Sequence, residues 1–111
     1  MPEKFPDLGR FADPALLILS SLADGPKHGY AIMVDIEAFS GTLFEPGTLY
    51  GALSRLEHRG WIRPLPAEDR RRPYQITPNG LEALREQLAT LQQVVRTGYE
   101  RLDRSRQEAR S

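Results

Sequence analysis

Cysteine is absent from the 111-residue chain. This absence excludes a disulfide scaffold, a thiolate metal site and a cysteine nucleophile, and it makes a reducing cytoplasm the default compartment. Long hydrophobic runs are also missing, since runs such as Ala15 to Leu19 are far short of the roughly 18 residues that a transmembrane helix needs. We expect a soluble cytoplasmic protein without membrane contact, with one compact domain or one domain plus an extended arm.

The chain also has no net charge, because its 15 basic residues balance its 15 acidic ones. These charges are not spread evenly. Up to Glu45 the chain has three basic and seven acidic residues, whereas from Pro46 to Pro78 it has six arginines and three acidic residues. A total of zero argues weakly against a nucleic-acid-binding protein, but a basic middle segment is compatible with one positively charged face.

The signatures of enzymes and metal sites are missing as well. There is no HExxH, glycine-rich phosphate loop or paired-carboxylate motif, and the two histidines are too far apart to suggest a metal pair. Ser54 and His58 could be a nucleophile and a base, but no third group is placed to orient the imidazole. We expect no enzyme activity, no cofactor and no metal, and we interpret His28 as a helix-start or packing residue.

Proline marks the start of the first predicted helix. Residues 1–12 have two prolines and no periodicity, and they predict an irregular N-terminal arm. Asp13-Pro14 is typical of an N-cap followed by proline in the first helical turn. One face of the helix that follows is apolar, with Ala15, Ile18, Leu19 and Leu22.

Two further helices are predicted before residue 61. The second extends from about His28 to Phe39, stops at Ser40-Gly41 and buries Ile32, Ile36 and Phe39, with Met33 beside them. The third spans 46–60, with Pro46 at its start and Gly60 as a left-handed stop.

A hairpin and a long helix complete the predicted order. "WIRPL" and "PYQIT" are short β-prone runs around the charged segment "PAEDRRR", and Pro73 fits only a strand start or an edge. Thr77-Pro78 repeats the cap-plus-proline signature. The last helix has a heptad seam in which only Gly98 misses its turn, too long to be buried on a core of this size. The seam consists of Leu81, Leu84, Leu88, Leu91, Val95 and Leu102.

This order predicts a mainly α protein with a small β-hairpin, namely a winged helix-turn-helix plus a long C-terminal dimerisation helix. The DNA-binding domain would span 13–78, with the recognition helix at 46–60 and the wing at 61–77. The dimerisation helix, with a frayed tail, would span 79–111.

The third helix has an unusual face opposite its leucines. On a helical wheel, Gly47, Gly51, Ser54 and His58 fall opposite Leu49, Leu53 and Leu56, with Thr48 and Arg55 on one flank and Tyr50 on the other. Glycine within a helix costs roughly 0.5 to 1 kcal/mol relative to alanine, so Gly51 is a poor choice for a solvated face. A flat face suits a helix in the major groove, although an ordinary solvated face has a similar composition.

The predicted hairpin adds a second basic feature. Arg70, Arg71 and Arg72 would lie at its tip, where a wing meets phosphate or the minor groove, while Glu68 and Asp69 partly offset their field. An arginine run in a loop is by itself more often a solvated surface. Helix face and wing together favour DNA binding.

Three segments also resemble the PadR family of bacterial transcriptional regulators. They are "HGY" at 28–30, "GTLYGALSRLEHRGWI" at 47–62 and "RRRPYQITPNG" at 70–80, and the resemblance covers about Ala15 to Leu91. It implies a homodimeric winged helix-turn-helix, usually a repressor, that binds a palindromic operator on double-stranded DNA and is released by a small effector or a stress signal.

By position, the resemblance implies site residues for DNA and for the dimer. Thr48, Tyr50, Ser54 and Arg55 would lie on the recognition helix, Tyr30 would approach the phosphate backbone, and Arg70, Arg71 and Arg72 would form the wing. Leu84, Leu88, Leu91 and Val95 would form the dimer seam. The alternative is a winged-helix module that binds a protein partner through the same face and does not bind DNA specifically.

Overall fold

The computed structural model describes residues 13–110, so the predicted arm at 1–12 lies outside the described residues. Within these residues, four helices and three short strands follow one another, in the predicted order except for one additional strand. The elements are α1 (Pro14–Leu22), β1 (Lys27–His28), α2 (Gly29–Ser40), α3 (Pro46–His58), β2 (Ile62–Pro64), β3 (Pro73–Ile76) and α4 (Pro78–Arg110).

Capping side chains and left-handed glycines set the limits of the helices, as predicted. The Asp13 side chain accepts a hydrogen bond from the backbone N–H of Ala15 at 2.9 Å at the start of α1. Thr77 Oγ1 accepts from the N–H of Gly80 at 3.1 Å at the start of α4. Gly41 after α2 and Gly60 after α3 have φ angles of 75° and 79°, which glycine adopts without steric cost.

A single apolar core joins the helices, and α1 lies at its centre, in contact with α2, α3 and α4. The hydroxyl of the buried Ser21 donates to the Asp35 carboxylate at 2.7 Å and links α1 to α2. The core consists of Leu17, Ile18, Leu19, Leu22, Ile32, Ile36, Leu49, Ala52, Leu53, Leu56, Ile62 and Leu84.

The prediction that Phe39 is buried was wrong. Its side chain is 51% exposed, whereas Ile32 and Ile36 on the same helix are fully buried. Phe39 lies in the last turn of α2, immediately before the stop at Ser40 and Gly41, and the described residues cover only half of it. Helical periodicity therefore identified the buried side of α2 but not how far the core reaches along it.

The predicted hairpin is part of a three-stranded antiparallel sheet with strand order β1-β3-β2. β2 pairs with β3, and β1 pairs with the other edge of β3, with His28 opposite Pro73. Pro73 is the first residue of β3, in agreement with the restriction to a strand start. Because β1 directly precedes α2, the sheet joins the start of α2 to the wing.

Gly80 lies where α4 crosses the start of the wing. A Cβ atom at this position would overlap the carbonyl oxygen of Trp61 and would lie 2.8 Å from Cγ1 of Ile76. We expect Gly80→Ala to lower the free energy of unfolding by about 1–3 kcal/mol. The reason is that the backbone of Trp61 cannot move aside as a flexible side chain can. Chemical denaturation would measure this loss. Gly47→Ala is the control, since a Cβ there meets no atom of residues 13–110 outside its own helix within 4 Å. Equal stabilities for the two variants would contradict the close approach at Gly80.

Helix α4 leaves the core after its first two turns. Leu84 is 5% exposed and belongs to the core of the chain, so it has little free surface to offer a dimer. None of residues 85–110 is buried, and the segment that we predicted to fray is helical as far as Arg110. Several large apolar side chains are exposed along this segment, namely Leu88, Leu91, Val94, Val95, Tyr99 and Leu102.

Candidate nucleic-acid interface

The exposed face of α3 is the first part of the candidate site. Leu49, Leu53 and Leu56 point into the core, and Thr48, Ser54 and His58 are exposed on the outer side. Within the described part of the chain, and leaving out the backbone of α3 itself, a Cβ atom at Gly51 would have only Nη1 of Arg55 within 4 Å, at 3.6 Å, and one at Gly47 would have no neighbour. Gly51 is therefore not required by packing within the described chain. Because glycine has no side chain, the outer face of α3 stays flat at this position.

The wing ends in a tight two-residue turn. Glu68 and Arg71 form an isolated antiparallel bridge, with N···O distances of 2.6 and 2.8 Å. The two residues between them, Asp69 and Arg70, both have left-handed backbones, with φ angles of 47° and 69°. Left-handed angles at both central positions are typical of the turns whose twist matches a β-hairpin. This turn places Arg70, Arg71 and Arg72 together at the wing tip.

A cleft of about 290 Å³ lies between the start of α2, α3 and the wing. Tyr30 comes from α2 and Tyr50 from α3, so residues of two separate helices line the same cleft. The positive charges of its lining lie on the wing side. The lining residues are His28, Gly29, Tyr30, Tyr50, Arg70, Arg71, Arg72 and Tyr74.

Gly29 and Tyr50 meet at the base of this cleft. A Cβ atom at Gly29 would overlap the Tyr50 hydroxyl and ring, so only glycine allows the tyrosine to pack against the first turn of α2. Tyr74 lies beside them. Desolvation, assisted by the charge of Glu57, raises the pKa of Tyr74 above its usual value of 10.0. Tyr74 is therefore a neutral hydroxyl at physiological pH and can donate a hydrogen bond.

The other predicted α3 residues lie outside the cleft. Arg55 lines a small hollow of about 140 Å³ beside the start of α1, together with Asp13 and Arg59. Ser54 and His58 share a shallow surface with Glu57. The structure thus places Tyr50 on the wing side of α3 and Arg55 on the α1 side, with Gly51 between them in sequence.

His28, Gly29 and Tyr74 were missed as residues of this site. His28 and Gly29 stand in the "HGY" segment, but only Tyr30 was predicted to contact DNA. His28 is the N-cap of α2, in agreement with the interpretation as a helix-start residue, and it also reaches the wing, where Nε2 lies 3.4 Å from Nη1 of Arg71. This second contact depends on the pairing of β1 with β3, which local sequence does not reveal.

Within residues 13–110, neither clustered metal ligands nor a membrane-spanning helix is found. No group of three or more histidine, aspartate or glutamate side chains in this range could hold a metal ion. None of the described helices is both long enough and apolar enough to cross a membrane.

Comparison with known proteins gives the family of the chain. Residues 18–86 match the model of the transcriptional regulator PadR-like family, which is more than half of the chain. The chain belongs to this family. The matched residues include α2, α3, the complete wing and the first turns of α4, so the candidate site lies entirely within the PadR-like segment.

Solved structures of other regulators share the PadR winged-helix fold. A PadR family transcriptional regulator from Eggerthella lenta is 31% identical, with 86% of this chain and 85% of that chain covered and a TM-score of 0.68. A transcriptional regulator from Clostridium thermocellum is 28% identical, with 86% and 94% covered and a TM-score of 0.72. A PadR family regulator from Clostridium difficile, 23% identical with 80% and 97% covered and a TM-score of 0.73, shows the same fold.

A curated relative contains a similar segment within a longer protein. An uncharacterised 37.1 kDa protein in transposon Tn4556 of Streptomyces fradiae is 52% identical over 75 residues. The match covers 68% of this PadR-like chain but only 22% of that protein.

Proposed function

We propose that this PadR-like chain is a sequence-specific DNA-binding repressor of the cytoplasm that binds a palindromic operator as a homodimer. The main support for the proposal is the cleft in which Tyr30, Tyr50 and the three wing arginines meet, beside the flat outer face of α3. A helix with small side chains on its outer face can enter the major groove while the guanidiniums beside it reach the phosphates. The neutral total charge of the chain limits non-specific attraction to DNA without removing this local basic surface.

The exposed stripe on α4 supports the homodimer. Leu88, Leu91 and Val95 are 46%, 42% and 54% exposed and keep the heptad spacing, which is typical of helices that pair along an apolar seam. Leu84, buried in the core, anchors the base of this helix instead. Two copies joined through the stripe would present two α3 helices to successive major grooves, with half-sites about 10 bp apart or a multiple of it.

Repression by such a dimer would follow from occupation of the operator. Release by a small effector remains an expectation from the family resemblance, and the effector is unidentified.

The wing arginines provide the test of the DNA interface. We expect Arg71→Ala or Arg72→Ala to weaken binding to all sequences and to reduce the slope of log affinity against log salt concentration by about 0.9 for each lost phosphate contact. Ser54→Ala or Arg55→Ala should also change which sequence is preferred. Fluorescence anisotropy with labelled duplexes at several salt concentrations measures both effects.

A matched control for charge is Arg104→Gln, which removes one positive charge from an exposed position on α4 outside the interface. It should leave both affinity and slope nearly unchanged. Wing variants that kept the wild-type affinity and slope would refute the wing assignment.

A further inference from the structure

The His28 imidazole lies between α2 and the wing, and both of its nitrogens face hydrogen-bond donors. Nδ1 accepts from the backbone N–H of Ala31 at 3.5 Å, and Nε2 lies 3.4 Å from Nη1 of Arg71. A neutral imidazole has one accepting nitrogen and one N–H, and a guanidinium has only donors. When Nδ1 accepts from Ala31, Nε2 carries the proton. Two donors then face each other across the gap between His28 and Arg71.

An acceptor placed between these donors would satisfy both of them. We propose that the Nε2–H of His28 and the guanidinium of Arg71 together bind one phosphate group in the cleft. The choice of a DNA backbone phosphate as its source rests on the proposed function. A free phosphate ester has the same chemistry, so the experiment has to separate the two sources. His28 becomes a ligand-binding residue in addition to the N-cap of α2.

The surroundings of the gap indicate the side on which the phosphate lies. On the cleft side the described lining has no carboxylate, and the hydroxyls of Tyr30, Tyr50 and Tyr74 add possible donors. On the other side, Glu68 and Asp69 line a separate hollow with His28 and Arg71, and their charges would repel an anion. The phosphate is therefore expected on the tyrosine side.

The start of α2 makes the same side favourable. The first N–H groups of a helix have no acceptor within the helix, and the helix dipole favours negative charge at this end. α2 begins at Gly29, and Gly29 and Tyr30 both line the cleft. This effect adds to the donors of His28 and Arg71 and does not carry the assignment alone.

His28→Asn separates the two roles of the histidine. Asparagine is among the best N-cap residues, so the variant keeps a capping side chain on α2, but it has no group in place of Nε2. We expect unchanged far-ultraviolet circular dichroism and a DNA affinity about tenfold lower, the effect of losing one hydrogen bond to a charged group. Arg71→Gln, at the exposed wing tip, gives a second variant that does not depend on the cap.

A double-mutant cycle tests whether the two residues share one phosphate. His28→Asn combined with Arg71→Gln should weaken DNA binding by clearly less than the product of the single effects, because the first change already disrupts the shared site. His28→Asn combined with Arg104→Gln should give the simple product. A simple product for the His28 and Arg71 pair would overturn the shared site.

NMR titration of the full chain with pyrophosphate, at constant ionic strength, tests the site without DNA. The expected result is a shift of the His28 ring and Arg71 guanidinium signals. In His28→Asn, which has no imidazole, the Arg71 guanidinium signals should no longer shift. Such a shift in a protein that bound no DNA would support the phosphate site and assign it to a free ester, against the proposed function. Salt-sensitive DNA binding that His28→Asn left unchanged, with no pyrophosphate shift, would overturn the site while the proposed function stood.

Discussion

Gly51→Leu is expected to abolish specific DNA binding while the domain stays folded. The added side chain would project from the middle of the outer face of α3, between the flanks marked by Tyr50 and Arg55. A helix carrying this bulk cannot approach base edges as closely, so binding should fall to the non-specific level, a loss of about 10³-fold or more. Fluorescence anisotropy on the preferred operator would measure the loss.

The same position supplies its own stability control. Among residues 13–110, and apart from the backbone of α3 itself, a Cβ at Gly51 has only the end of the Arg55 side chain within 4 Å, so neither alanine nor leucine meets a fixed obstacle there. Both residues favour helix over glycine, and Gly51→Ala should raise the free energy of unfolding by about 0.5–1 kcal/mol. A leucine variant that was unfolded would show that Gly51 is buried, and a folded leucine variant with wild-type affinity would remove α3 from the interface.

Leu88→Glu is expected to convert the protein into a monomer. In the proposed dimer this change places a carboxylate within the apolar seam of α4, where an unpaired charge costs several kcal/mol, so the dimer dissociation constant should rise about 100-fold or more. Because Leu88 is 46% exposed in the single chain, the domain itself should keep its stability. Sedimentation velocity would report the change of oligomeric state, and operator affinity should fall with it.

Gln87→Glu is the matched control for the seam. It adds the same charge at the preceding residue, which is exposed and is not one of the apolar positions that form the seam. We expect this variant to remain dimeric and to bind DNA with nearly wild-type affinity. A fully folded Leu88→Glu protein that was still dimeric would refute the seam.

Features that depend on neighbouring residues in the chain could be predicted from the sequence. The Asp13-Pro14 and Thr77-Pro78 helix starts and the stop at Gly60 are each determined within a few residues, because capping and left-handed turns are local chemistry. The buried face of α3 was predicted for the same reason, since its leucines recur at helical spacing.

Features that depend on distant parts of the chain could not be predicted in this way. β1 has two residues, too few for a periodic signal, and it forms because β3 offers an edge. Heptad spacing alone could not show that Leu84 belongs to the chain's own core, whereas Leu88 stays exposed. The contact between His28 and Arg71 joins residues 43 positions apart. Only the three-dimensional arrangement shows that Tyr30, Tyr50 and the wing arginines share one cleft.

Sequence-specific DNA binding can be tested by selecting bound fragments from a random-sequence DNA library with the purified protein at two salt concentrations. We expect enrichment of a palindrome with half-sites about 10 bp apart, or a multiple of it, and an affinity for it that falls steeply as salt increases. Absence of any enriched sequence at either salt concentration would contradict sequence-specific DNA binding and would favour a winged-helix module that binds a protein partner.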